Sequence, residues 1–182
     1  MIEFIYMENY MENIYDLIKQ RRSVRNFKPD SVDDAVLKRI LEAALWAPSA
    51  GNTQARMFYL VKNPELKKAV ASACFDQDHV ELAPVIVVAC TDVEAMRALY
   101  GKRGTTLYGI CDVSAAVENL LLAAWSEGLG SCWVGNFSEQ ELQKALKIPK
   151  RFLPVAVVPL GYPAEIPPSP ARKSFDESVV IL

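Results

Sequence analysis

The sequence predicts an α+β fold in which helices flank a central β-sheet. Segments with helical spacing of apolar residues alternate with a few short strands. The run "APVIVVACTD", bounded by Pro84 and Asp92, is typical of a strand buried on both faces. The segment "CDVSAAVENLLLAAWSE" is apolar nearly all round and predicts a helix that is buried on more than one side.

The first half of the chain is expected to contain three helices and one strand before that buried run. A helix is predicted over 13–20, and a second from Ser31 to a point before Pro48. The short strand "RMFYLVKN" follows. Asn63 then has the position of an N-cap ahead of a proline, for a helix that runs to about Ala73.

The second half is expected to be less regular. Residues 93–109 contain three glycines and predict a helical turn followed by a mobile loop. "SCWVGNF" predicts a strand that breaks at Gly135, and Ser138 with Glu141 forms a capping box for the next helix. "PVAVVPLGYP" is the last predicted strand, and the proline-rich tail is expected to be extended.

Composition narrows the function classes. The chain has 182 residues and a net charge of −2, which argues against a nucleic-acid partner. No apolar run approaches the ~20 residues of a membrane span, so no membrane partner is expected. The N-terminus lacks the pattern of a signal peptide, and residues 1–10 are expected to extend a single domain over 11–182.

The cysteines and the single histidine bear on metal and redox chemistry. The four cysteines are unevenly spaced, without a CxxC motif, and His79 is the only histidine. A zinc site is therefore not expected, and no metal is assigned. Buried free thiols in a reducing compartment are the preferred interpretation, and the protein is expected to be cytoplasmic.

Three arginines surround one serine in "RRSVRNF", residues 21–27. Arginine forks bind phosphate oxygens in a bidentate manner, and a serine hydroxyl adds another donor. The alternatives are an anion-binding site and a solvated charge run.

Three further stretches carry possible ligand contacts. "APSAGNTQ" is a turn rich in amide groups, "GLGSCWVGNF" is a strand interrupted by glycine, and "PPSPARKSF" places two cations in an extended tail. Each stretch alone is equally explained as an ordinary loop, a β-bulge or a charged tail.

Together, the order and spacing of these stretches resemble the FMN-dependent nitroreductases. That family has an "RRSxRxF" motif after a short helix, a "PSxxNxQ" loop, an "APVxIVV" strand, a "D…AAxENLLLAA…GLGSCWxG" segment, an "LGYP" strand end and a basic tail. All occur here in that order from Met11 to the C-terminus. The resemblance implies a mostly antiparallel central sheet and an intertwined homodimer with FMN at the subunit interface.

The resemblance also implies which residues hold the FMN phosphate and ribityl chain. In "RRSVR" they are Arg21, Arg22, Ser23 and Arg25. Arg172 matches the tail cation that completes the phosphate site, and Lys173 matches a possible helper.

Two other segments match positions beside the flavin ring. Pro48, Ser49 and Asn52 match the loop next to the ring, and Asn52 is the side chain expected to contact it. Val134 and Gly135 match the segment whose backbone approaches the reactive N5 edge.

The chain departs from the family pattern at three places. Ala55-Arg56 follows the "NTQ" of the loop where many members have Pro followed by an aromatic residue. Val134 stands where many members active on quinones and nitroarenes carry glutamate. The chain is also short, so residues 93–109 are expected to be all that remains of the helices that cover the flavin in longer members.

The implied function is hydride transfer from NADH or NADPH through flavin N5 to a small acceptor such as a nitroaromatic or a quinone. The reaction would be ping-pong and would need no catalytic side chain. Two alternatives stay open: a specialised enzyme of the same fold, such as a dehalogenase or a flavin-fragmenting enzyme, and a flavin-binding module without turnover. Neither the acceptor nor the choice of nicotinamide follows from the sequence.

Overall fold

A four-stranded antiparallel sheet lies at the centre of the computed structural model, which describes residues 14–182. The strands are β1 (Arg56–Val61), β2 (Val85–Asp92), β3 (Gly130–Ser131) and β4 (Phe152–Gly161). Their order is β1-β2-β4-β3, and every pairing is antiparallel. The expected α+β fold is confirmed, whereas the expected N-terminal extension, 1–10, lies outside the described residues.

Helices cover both faces of this sheet. They are α1 (14–20), α2 (Asp34–Leu45), α3 (Pro64–Ala73), α4 (Asp78–Glu81), α5 (Val93–Arg103), α6 (Gly109–Ser126) and α7 (Glu139–Leu146). A 3₁₀ turn (Ala50–Asn52) precedes β1, and a π-helical turn (Gly104–Tyr108) joins α5 to α6.

The core has two layers because β2 is buried on both faces, as predicted. Side chains on one face, such as Val87, pack with α2 and α6. Side chains on the other face, such as Val88, pack with α3 and α7. Alternate residues of a strand point to opposite sides, so one β-branched run supplies both layers.

Two of the predicted helix caps are confirmed, and one is wrong. The Asn63 side chain accepts a hydrogen bond from the backbone N–H of Leu66 at 3.0 Å, and Ser138 Oγ accepts one from Glu141 N–H at 3.3 Å. The second helix begins after Asp33, not at Ser31. Val32 is buried in the core, and Asp33 is the N-cap, with an extended backbone and a side chain that accepts a hydrogen bond from Ala35 N–H at 2.6 Å.

The mobile loop predicted within 93–109 is wrong, because that segment is helical throughout. It is kinked at Gly101, where φ is 58°. A Cβ on Gly104 would lie 2.2 Å from the carbonyl oxygen of Met96, so glycine permits the close packing of the π-helical turn on α5.

The predicted strand "SCWVGNF" is also mostly absent. Only Gly130–Ser131 is a strand, and beyond it a single bridge joins Val134 to Val157 of β4. The chain leaves the sheet at Gly135, which is exposed, so the predicted break itself is confirmed.

The continuous helical stretch Val93–Ser126 is long and apolar enough to cross a membrane, by length and composition. Core helices of soluble proteins have the same character. In α6, six apolar residues are buried within the same chain, namely Val113, Ala116, Val117, Leu120, Leu121 and Ala124. The protein's own core thus accounts for part of the apolar surface of this helix.

The cysteines are reduced and mostly inaccessible. Cys74, Cys90 and Cys132 are buried, and burial raises the pKa of the Cys74 and Cys90 thiols to about 12. Cys111 is exposed, against the prediction for it. No cluster of three or more possible metal-ligating side chains occurs within residues 14–182.

Candidate active site

The arginine-rich segment is held in place by the valine at its centre. Val24 is fully buried, and its N–H donates to the carbonyl oxygen of Ser131 at 2.9 Å. A Cβ on Gly130 would lie 2.7 Å from the Val24 side chain, so glycine is required where the segment crosses β3. The neighbouring arginines are thereby fixed at the edge of the sheet.

The same segment brings the C-terminal tail to this edge. Lys28 N–H donates to Tyr162 O at 2.8 Å, and Ala164 N–H donates to Asn26 O at 2.9 Å. Phe27 forms a bridge with Pro163 between these two bonds. The tail therefore leaves the sheet alongside the arginines.

A pocket of about 230 Å³ lies where the two segments meet. Its lining consists of Arg21, Arg22, Ser23, Arg25, Pro167, Pro168, Pro170 and Arg172. None of these eight residues is acidic, and the prolines restrict the backbone of the tail that forms one wall. The pocket is consequently cationic and suited to an anion with several oxygens.

The arginines of the pocket differ in how they are bonded. Arg22 Nη1 donates to the carbonyl oxygens of Lys19 at 2.6 Å and Arg21 at 2.8 Å, so this side chain also caps α1. Within residues 14–182, neither Arg21, Arg25 nor Arg172 has a carboxylate within salt-bridge distance. Their charges are therefore available to a ligand.

The second predicted segment, Pro48–Asn52 and the residues after it, forms a strained turn between α2 and β1. Gly51, Asn52 and Gln54 have φ of 55°, 55° and 51°, in the left-handed region that disfavours residues with a Cβ. Ser49 Oγ accepts a hydrogen bond from Gln54 N–H at 3.0 Å and closes the turn. Pro48 and Asn52 are exposed at its surface.

Arg56, which departs from the family pattern, is bonded to backbone beneath this turn. Its Nη2 donates to Leu45 O at the end of α2, and to Ala47 O at 2.9 Å. Burial lowers the pKa of the Arg56 guanidinium, and the nearby Asp112 carboxylate acts in the opposite direction. Asp112 is buried in α6, and its Oδ1 accepts a hydrogen bond from Ala50 N–H at 3.0 Å.

The third predicted segment offers one backbone donor rather than two. Val134 is buried, and its N–H donates to Val157 O at 2.8 Å, so this amide is not free for a ligand. Gly135 is exposed, and its N–H donates to no acceptor among residues 14–182. A Cβ there would meet only Trp133 Nε1, at 3.8 Å.

The structure thus brings together five of the predicted residues, which line one pocket: Arg21, Arg22, Ser23, Arg25 and Arg172. Pro48, Ser49, Asn52, Val134 and Gly135 lie outside its lining, and so does the exposed Lys173. Sequence reasoning missed the tail prolines and Asp112. Their signals were the proline-rich composition of the tail and an acidic residue in the first turn of a mainly apolar helix.

The positive charge of this pocket affects the pKa of His79. Burial lowers its pKa, and the positive charge of Arg25 lowers it further, while Asp78 has the opposite effect. Arg25 and Arg21 also counteract the burial that raises the pKa of Cys132. The field of the arginine cluster therefore extends beyond the pocket.

Comparison with known proteins supports the resemblance found in the motifs. A model of the Nitroreductase family matches residues 18–82 and 73–162, which together exceed half of the chain. The chain belongs to the nitroreductase family. Membership confirms the expected enzyme class, NAD(P)H-dependent oxidoreductases.

Individual members of the nitroreductase family show how far the likeness extends. An NADH dehydrogenase of Thermus thermophilus is 34% identical over 173 residues, covering 80% of this chain and 84% of that protein. An FMN reductase [NAD(P)H] of Bacillus subtilis is 28% identical, covering 85% and 68%. The solved structure of an NADPH:FMN oxidoreductase from Vibrio harveyi complexed with NAD⁺ is 26% identical, covers 92% and 76%, and has a TM-score of 0.84.

Proposed function

We propose that the protein is an FMN-dependent NAD(P)H oxidoreductase that holds the FMN phosphate in the pocket between the "RRSVR" segment and the tail. The observation that carries this proposal is the convergence of Arg21, Arg25 and Arg172 on one pocket without a neutralising carboxylate. A terminal phosphate fits this set of donors, whereas an uncharged ligand would leave several cations uncompensated.

Different residues of the chain are proposed to bind the phosphate and the flavin ring. The pocket arginines and the Ser23 hydroxyl bind phosphate oxygens, and the Asn52 side chain and the Gly135 N–H are the donors proposed for the flavin ring. FMN supplies the redox chemistry, since it accepts hydride from NAD(P)H and reduces a small acceptor. The acceptor class proposed is nitroaromatics, quinones or similar small molecules.

The names of the relatives support this assignment. They include an NADPH nitroreductase, an FMN reductase and an NADPH:FMN oxidoreductase. Val134 still argues for a difference in acceptor range, because many family members active on quinones and nitroarenes carry glutamate there.

A homodimer with FMN at the subunit boundary is part of the proposal. The half-buried Leu122 and Ala123 of α6 line an apolar groove with Ile14 and Leu17 of α1. The exposed apolar residues Ile110 and Ile18 belong to the same two helices. Apolar surface of this kind is typical of obligate interfaces.

The decisive experiment is the identification of the cofactor and of its turnover. Protein purified from cells is expected to be yellow and to release FMN rather than FAD on denaturation. Anaerobic NADH or NADPH should bleach it, and an added quinone or nitroaromatic should restore the colour over many cycles. Protein that stays colourless with added FMN would overturn the proposal, and bleaching without turnover would indicate a binding module.

A further inference from the structure

The turn 49–54 has a backbone that its own residues do not favour. Asn52 and Gln54 carry side chains at φ of 55° and 51°, in the left-handed region that Gln disfavours more than Asn does. Within the turn, Asn52 N–H donates to Ser49 O at 2.9 Å and Thr53 N–H donates to Ala50 O at 3.1 Å. Contacts from outside the turn must offset this strain.

Arg56 supplies the contact at one end. Its guanidinium donates to the carbonyl oxygens of Leu45 and Ala47, on either side of the point where α2 ends. Carbonyls at a helix end have no partner within the helix, and a cation there also complements the helix dipole. The chain therefore enters the turn at a fixed place.

Asp112 supplies the contact in the middle. Its Oδ1 accepts the hydrogen bond from Ala50 N–H, and the residue is 7% exposed. Tyr100 of α5 packs on the adjacent Gly51, since a Cβ on that glycine would lie 2.2 Å from the Tyr100 hydroxyl oxygen. The turn is thus held by residues of α5 and α6, and by Arg56 of β1 through its bonds to the end of α2.

Arg56 and Asp112 each also have buried polar atoms that lack a hydrogen-bond partner within residues 14–182. Nε and Nη1 of Arg56 and Oδ2 of Asp112 are buried without a hydrogen-bond partner among the described residues. The negative charge of Asp112 acts on the partly buried Arg56 guanidinium. Removing either side chain would leave the other as a less compensated buried charge.

We infer that Arg56 and Asp112 are positioning residues that together hold the turn 49–54 in the geometry needed to present Ser49 and Asn52 to the flavin ring. This inference rests on the proposed function for its ligand. The clamp, meaning the contacts of Arg56 at one end of the turn and of Asp112 at its middle, is a property of the chain alone. Of the two residues, Arg56 lies within the Ala55-Arg56 pair that stands where many family members have Pro followed by an aromatic residue.

The first test measures the turn without a ligand. Amide hydrogen exchange of Asn52 and Thr53, followed by NMR in FMN-free protein, should accelerate about tenfold or more in Arg56→Met and in Asp112→Ala. Asp112→Asn keeps an oxygen for the Ala50 N–H and should restore much of the protection. Arg39→Met is the matched control, because Arg39 lies on the exposed face of α2 and is bonded to Glu127.

The second test measures the effect on the flavin site. Arg56→Met should raise the Kd for FMN about tenfold and change the visible circular dichroism of the bound flavin. A purely structural residue would lower the unfolding midpoint but leave the spectrum and Kd of the folded variant unchanged.

The outcomes separate the two proposals. If wild-type protein binds no FMN, the proposed function fails while the exchange experiment still tests the clamp. If wild-type protein binds FMN but exchange, Kd and spectrum in Arg56→Met match those in Arg39→Met, the clamp is wrong. Should Arg56→Met not fold, equal exchange in Asp112→Ala and Asp112→Asn would overturn the inference.

Discussion

Arg39 donates two hydrogen bonds to the Glu127 carboxylate, at 2.7 and 2.8 Å, and so joins α2 to the residue that follows α6. The pairing raises the pKa of Arg39 and lowers that of Glu127. Arg21 and Arg172 have no such carboxylate within residues 14–182. This difference between a paired and an unpaired arginine provides a direct test of the phosphate site.

Arg21→Ala and Arg172→Ala are each expected to weaken FMN binding by about ten- to a hundredfold, because a hydrogen bond to a charged group contributes ~1.5–3 kcal/mol. Arg39→Ala should leave the Kd unchanged. Titration calorimetry with FMN and with riboflavin provides the measurement, since riboflavin lacks the phosphate and should be insensitive to all three changes. Equal FMN affinities in the three variants would show that the cluster is only a solvated charge run.

Gly135→Val should slow flavin reduction by the nicotinamide much more than it lowers the free energy of unfolding. Within residues 14–182, the new Cβ would lie near only Trp133, at 3.8 Å, so little destabilisation is expected. It would, however, crowd the Gly135 N–H, which has no acceptor within residues 14–182. Stopped-flow reduction and urea unfolding give the two quantities, with Asn136→Val at the next exposed position as the control. A wild-type reduction rate in Gly135→Val would exclude this role.

Leu122→Glu should dissociate the proposed homodimer and reduce flavin content with it. Leu121 and Ala124 of the same helix are buried in the protein's own core, so charges there would unfold the monomer as well. Leu122 is half-buried and lines the groove beside α1, which makes it the sharper probe. Light scattering with absorbance at the flavin band provides the measurement.

The matched control for this change is Leu66→Glu in the first turn of α3. Leu66 is 41% exposed, and an acidic residue near a helix N-terminus is favourable. It should leave the dimer and its flavin intact. A dimeric, flavinated Leu122→Glu, or a monomeric wild-type protein at micromolar concentration, would contradict the predicted interface.

His79 should make folding stability depend on pH just below neutrality. Its folded-state pKa lies below the ordinary value of 6.5, chiefly because of burial and then because of Arg25, so the unfolded chain binds more protons in that window. The stabilisation is therefore present above about pH 6.5 and is lost as the pH falls through the lowered folded pKa. Urea unfolding at several pH values should show this slope in the wild type and a flatter one in His79→Gln.

FMN should shift the same titration. A phosphate bound at Arg25 would offset the charge that lowers the His79 pKa, so the pKa should rise on binding. NMR titration of this single histidine, with and without FMN, checks the sign. A pKa that is unchanged by saturating FMN would separate Arg25 from the phosphate site.

Local patterns in the sequence were sufficient for most of the secondary structure. Asn63 and Ser138 were assigned as caps because a cap is an interaction over three residues. The buried run of β2 identified the centre of the sheet for a similar reason, since burial on both faces leaves no polar alternation. Residues 93–109 were misassigned because three glycines usually interrupt a helix, whereas here Gly104 packs on the Met96 backbone, a contact that no local rule anticipates.

The sequence by itself determined the family, the fold class and the residue types that meet an anion, since each depends on the order and spacing of motifs along the chain. Only the tertiary structure decided which of those residues share a pocket and which form hydrogen bonds elsewhere in the protein. The packing of Val24 on Gly130 and the hydrogen bonds of the tail bring Arg172 close to Arg21. By contrast, the Val134 N–H donates to β4, and the Arg56 side chain donates to Ala47 O beyond the end of α2. The physical reason is that hydrogen-bond partners and close contacts between distant segments are fixed by packing, which the linear spacing of residues does not encode.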